Sequence, residues 1–221
     1  MPVQIDHIVI AGSDLAALRA QSEARGLPSV EGGVHVGGQT HNALIGFPNG
    51  TYLELIAPTP GNTAPDHAWS EFMRTDAGVC AWAIRSNDID ADVALYRSRG
   101  ITVSDAASGG RTRTDGVRLE WRTAKLGDAP LGSVLPFLIQ DLTPRDLRVP
   151  TASGIHEKIA GVEAVVFGIA DENDPMVALL GRAFNAALTN DNEDLRLGDE
   201  PIHFDTSSSK HGLSDMRLGS R

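Results

Sequence analysis

The chain has 221 residues, enough to bury a substantial core as one domain or as two tightly packed halves. Its 19 basic and 29 acidic residues leave a net charge of −10, which argues against non-specific binding to nucleic acid or anionic lipid, because both need basic patches. A single cysteine, Cys80, excludes an intrachain disulfide framework and any zinc site built from several thiolates.

No apolar run approaches the ~20 residues needed to span a bilayer, and the opening MPVQIDHIVIAG has no basic region of the kind that precedes a secretory signal. A soluble, cytoplasmic protein is therefore expected. Cys80 lies within an apolar strand pattern and is expected to be an inert core residue.

Residues 4–11, QIDHIVIA, read as a buried strand carrying one histidine, His7. Ser13 or Asp14 can cap the following helix, and Arg25-Gly26 ends it. The glycine-rich segment EGGVHVGGQTHN follows, with His35 and His41. Its glycines lack the spacing of a phosphate loop and suit bends or bulges in a curved strand.

Next comes THNALIGFPNGTYLELIAP, residues 40–58, in which two strand-forming runs flank Asn49-Gly50. That dipeptide favours a two-residue type I′ turn. The register it implies sets Ile45 opposite Glu54 and Ala43 opposite Ile56, so Tyr52, Glu54 and Ile56 share a face with His41, Ala43 and Ile45. Asn42 is then expected to face away from Glu54 unless a bulge intervenes. Glu54 lies either on a solvated face or among apolar neighbours, where its charge must be paired, hydrogen-bonded or metal-bound.

After a Pro- and Thr-bearing linker the pattern repeats. Residues 78–86 read as a strand, Asp88 as a cap, and Ile89, Val93 and Tyr96 as a helical stripe that ends at Arg99-Gly100. An offset of 74 residues superimposes Asp14 on Asp88, Arg25 on Arg99 and Gly26 on Gly100, which suggests an internal duplication. Strands over 117–125, with Trp121, and 133–140, with Phe137, complete the second unit. Beyond a second linker, 161–170 read as a strand and Asp174-Pro175 as a helix start. Residues 189–200 read as an acidic surface loop, and 202–204 and 213–218 as closing strands.

The segments IDHIVIA (5–11), GGVHVGGQTHNALI (32–45) and GTYLELIAP (50–58), with DGVRLEWR (115–122) and LPFLI (135–139), resemble the vicinal oxygen chelate superfamily, and within it the glyoxalase-like domain proteins. The resemblance implies an α+β fold of tandem βαβββ units forming a half-open barrel. The first unit covers 1–58, a linker 59–77, the second unit 78–142, and a partial third βαββ unit 156–221. It also implies metal ligands from the first and last strands of each unit. His7 and Glu54 match those positions in unit one, but Ala81 and Phe137 stand there in unit two, and neither binds a metal.

Two functions follow from the resemblance. In one, His7, Glu54 and His41 hold a divalent ion (Fe, Mn, Ni or Zn), and Glu54 or His41 moves a proton, as in a lyase or isomerase. Regular pairing places His41 four residues beyond Glu54's partner, about 13 Å away, so a bulge or longer turn must bring it in; His35 is a further histidine that could fold inward. In the other, the chain binds a small molecule without metal or catalysis, as a resistance-type protein does, with Asn42, Trp82, Trp121 and Phe137 lining the cavity. The expected partner is a small-molecule ligand or substrate, and a homodimer is an open assembly.

Overall fold

The computed structural model describes residues 3–155, 157–191 and 194–221. The first unit runs β1 (Ile5–Ala11), α1 (Leu15–Ala24), β2 (Val30–His35), β3 (Thr40–Gly46) and β4 (Tyr52–Pro58). After α2 (Ser70–Arg74) the order recurs as β5 (Gly78–Arg85), α3 (Ile89–Ser98), β6 (Ala107–Thr112), β7 (Arg118–Lys125) and β8 (Phe137–Asp141). The short helix α4 (Arg145–Arg148) leads to β9 (Ile159–Gly168), α5 (Pro175–Phe184), β10 (Leu188–Asp191), β11 (Asp194–Leu197), β12 (Ile202–Asp205) and β13 (Gly212–Ser220). The fold is α+β, as expected.

The 74-residue echo has a structural cause. Asp14 and Asp88 are both extended N-caps whose carboxylates accept from Ala17 N and Ala91 N. Both helices end before a glycine with left-handed φ, Gly26 at +74° and Gly100 at +73°.

Eight strands close in the order β1-β4-β3-β2-β6-β7-β8-β5. Within each unit the first and last strands pair in parallel, β1 with β4 and β5 with β8, and the units join along the antiparallel β1–β5 pair. The far seam, β2–β6, is only two residue pairs long, Val34 with Thr112 and His35 with Arg111. The sequence of β6, ASGGRT, gives little strand signal, since glycine offers no side chain to pack.

The last segment forms a second sheet, β10-β11-β12-β9-β13. About β9 it repeats the arrangement around β1: β12 pairs in parallel and β13 antiparallel. The acidic stretch 189–200, expected as a loop, instead contributes to β10 and β11, which pair antiparallel with each other.

Trp82 is wholly buried outside the barrel, against Phe167 of β9 (ring centroids 6.2 Å apart) and Phe184 of α5 (6.0 Å). Its indole N–H donates to the Val134 carbonyl at 2.9 Å. Ala81, Ala83, Phe137 and Ile139 cluster on the opposite side with Cys80, itself buried. No helix among the described residues is long and apolar enough to cross a membrane.

Candidate functional site

The β3–β4 hairpin decides what the barrel interior contains. Phe47 N donates to Thr51 O at 2.9 Å, and Gly50 N to Phe47 O at 3.0 Å, with Gly50 at φ +82°. The loop is therefore the three residues Pro48-Asn49-Gly50, with glycine in the left-handed position, rather than a two-residue turn. One extra loop residue moves the pairing by one, so that Leu44 faces Glu54 and Asn42 faces Ile56. A one-residue slip exchanges the faces of a strand. Asn42, not His41, joins Glu54 inside. His41 pairs with Ala57 on the outward side and takes no part in the cavity, which corrects its expected catalytic and metal-binding roles.

The cavity has a volume of about 280 Å³. His7 comes from β1 and Glu54 from the neighbouring β4; both are buried, and they meet with Nε2 3.5 Å from Oε2. Asn42 Nδ2 donates to Glu54 Oε1 at 2.7 Å. His35, at the end of β2, does fold inward: its Nε2 lies 3.3 Å from the same Oε1, and its Nδ1 is 2.9 Å from Thr40 Oγ1. The other wall is apolar, with Trp69, Trp121, Phe137, Ile56, Leu131 and Ile139. Trp121 and Phe137 thus border the cavity. Trp82 does not, because it projects from the opposite side of β5 into the packing against the second sheet.

Behind His7 stands a buried ionic network that the sequence reading missed. A bulge between Ile5 and His7 lets two consecutive side chains work together, and Asp6 Oδ1 lies 2.7 Å from His7 Nδ1. Arg148 of α4 donates to Asp6 Oδ1 at 3.1 Å and to Tyr52 Oη at 2.6 Å, and also grips Asp141. Arg145 contacts Asp6 as well. Tyr52 stacks on the His7 ring with centroids 4.5 Å apart. Nothing in the linker composition around residues 143–153 signals this role.

These contacts set the charges. Burial pushes the Glu54 carboxyl up, but hydrogen bonding to His35 and His7 outweighs it and holds Glu54 well below the usual carboxylate range. Burial likewise opposes ionisation of Asp6, and Arg148 and His7 more than offset it. Burial disfavours an imidazolium at His7, yet bonding to Asp6 and Glu54 raises its pKa above the ordinary value. The centre is the His7 imidazole set between two carboxylates, Asp6 at Nδ1 and Glu54 at Nε2.

Such a donor set does not fit a divalent ion. A metal-ligating histidine must offer a bare nitrogen, whereas both ring nitrogens of His7 already face carboxylates, Nδ1 at 2.7 Å from Asp6 Oδ1 and Nε2 at 3.5 Å from Glu54 Oε2. His7 and His35 approach opposite oxygens of Glu54. Ala81 and Phe137 bring only apolar surface where the second unit would supply ligands. Among the described residues, no group of three or more His, Cys, Asp or Glu side chains could hold a metal ion.

Arg111 of β6 is also at the cavity, 3% exposed, with Nη1 3.2 Å from Asn42 Oδ1 and Nη2 2.8 Å from the Arg148 carbonyl. Gly32 makes room for it: a Cβ there would lie 2.7 Å from Arg111 Nη1 and 2.0 Å from Asn42 Oδ1. Gly109 similarly admits the Trp121 indole, whose Nε1 would be 2.6 Å from a Cβ. The close approach these glycines permit is the signal that could have marked the site.

A family profile described as Glyoxalase-like domain matches residues 5–184. Among solved structures, a hypothetical protein from Staphylococcus aureus is similar at TM-score 0.73 and 17% identity, over 96% of this chain and 88% of that one. A fusion protein of a xylose isomerase-like TIM barrel and 4-hydroxyphenylpyruvate dioxygenase is similar at TM-score 0.58 and 13% identity, over 100% of this chain and 36% of that one. A methylmalonyl-CoA epimerase in complex with methylmalonyl-CoA and NH4+ reaches TM-score 0.47 and 26% identity, over 68% of this chain and 100% of that one. No curated protein matches the chain.

Proposed function

Because this chain belongs to the glyoxalase-like domain family of the vicinal oxygen chelate superfamily, we propose that its barrel is a metal-independent binding cavity for a small organic molecule. The observation that carries this reading is Glu54, buried at the cavity with its two oxygens approached by three side chains, Asn42, His35 and His7. A carboxylate offers about four lone-pair positions, and Asn42, His35 and His7 approach three of them. An acceptor remains for an N–H or O–H of the ligand.

A carboxylate held well below its usual range is a weak proton acceptor at neutral pH, so Glu54 suits recognition better than proton abstraction. The facing aromatic wall suits an apolar body. At about 280 Å³ the cavity takes a compact ligand rather than an extended one. A metal-dependent lyase or isomerase would need ligands that Ala81 and Phe137 do not supply.

Elemental analysis of protein purified without chelator, followed by melting with added Mn²⁺, Ni²⁺ or Zn²⁺, tests the reading. Metal is expected far below one ion per chain, with no rise in melting temperature. One ion per chain, lost in Glu54→Gln, would overturn it.

A further inference from the structure

We propose that the ligand of this cavity is a small carboxylate with an apolar body, and that Arg111 binds its carboxylate group; the inference rests on the binding-cavity reading and names its ligand class. Arg111 is 3% exposed, yet both of its hydrogen bonds go to neutral acceptors, Asn42 Oδ1 and the Arg148 carbonyl. Its Nε is buried without a hydrogen-bond partner, and it forms no ion pair with any carboxylate among the described residues. A buried cation without a counter-charge is costly and is ordinarily paired.

The neighbouring arginine shows the contrast. Arg148 is equally buried, but Asp6 and Asp141 neutralise it. Glu54, the carboxylate nearest in the cavity wall, is taken by His7 and His35, and Asn42 is interposed between it and Arg111. The cavity lining itself holds two arginines, Arg111 and Arg148, and one carboxylate, Glu54.

A guanidinium has five N–H donors, and two are used here. Nη1 and Nη2 each keep an N–H beyond these two bonds, and together they can give a carboxylate two bonds from the cavity wall. Trp121 and Phe137 offer aromatic surface to the remainder of the molecule. Glu54 then accepts from a hydroxyl or amine on the ligand and repels a second carboxylate, which favours monoanions.

The test is a binding titration of small aryl and alkyl carboxylates, such as phenylacetate, beside their matched primary amides. Wild-type protein is expected to bind at least one carboxylate roughly tenfold or more tightly than its amide, one lost charge-assisted pair being of that order. R111Q is expected to erase the preference while keeping the circular dichroism of the wild type. R111K, which retains the charge without the fork, serves if R111Q does not fold, and is expected to weaken carboxylate binding about tenfold. Amides binding as tightly as carboxylates, or either variant binding carboxylates like the wild type, would overturn the inference and leave the cavity reading standing. If neither series binds, both fall.

Discussion

The side-chain amide of Asn42 donates to Glu54 Oε1 at 2.7 Å, while its carbonyl accepts from Arg111 at 3.2 Å. One neutral residue thus satisfies an anion and a cation that do not touch. Asn42→Ala removes both bonds at once and leaves two buried charged groups short of a partner, at a cost of roughly 2–5 kcal/mol. His41→Ala, one position away on the other face, is expected to stay within about 0.5 kcal/mol. Urea unfolding of the pair measures the difference. Equal effects would mean that the hairpin register is not the one described.

The Asp6–His7–Glu54 group predicts a two-armed dependence of stability on pH. Asp6 and Glu54 are held below their ordinary values of 3.8 and 4.5, so their contribution is present above those values and is lost as pH falls further. His7 is held above its ordinary 6.5, so its contribution is complete below 6.5 and is lost as pH rises through the raised value. Denaturation midpoints should therefore decline on both sides of a mildly acidic maximum. His7→Asn should flatten the alkaline arm. An unchanged alkaline arm in that variant would place the titrating group elsewhere.

Two tryptophans should behave oppositely. Trp82→Ala empties a site between Phe167 and Phe184 and is expected to cost about 3–5 kcal/mol, with ligand affinity kept in whatever folded fraction remains. Trp121→Ala is expected to spare the fold and weaken binding at least tenfold, since its ring borders the cavity. Fluorescence titrations of the two variants separate these outcomes. Weaker binding in the Trp82 variant alone would contradict the placement of the cavity.

The cap-to-glycine helices were legible because Asp14, Gly26, Asp88 and Gly100 act locally, through a side-chain cap and a left-handed φ. His7 and Glu54 were legible as neighbours because the resembled fold pairs first and last strands. The position of the β3–β4 turn was also readable, but its length was not. Phe47 and Thr51 close a three-residue loop, and that single residue decides whether Asn42 or His41 faces inward. Trp82 was misplaced because β5 is buried on both faces, so hydrophobicity does not say which face is interior. Arg111 was hidden in a glycine-rich strand, and Arg148 in a segment whose composition reads as a linker; their role arises only from contacts with Asn42, Asp6 and Asp141.

The protonation state of His7 tests the central claim most directly, because a cationic clamp on Glu54 and a metal ligand require opposite states of Nε2. Heteronuclear NMR of histidine-labelled protein reports both ring nitrogens. The account predicts that both carry protons at neutral pH, that the pKa lies above 6.5, and that Glu54→Gln lowers it. It also predicts no change on adding Mn²⁺, Ni²⁺ or Zn²⁺. A neutral His7 with bare Nε2, whose resonance moves when one of these ions is added, would contradict it.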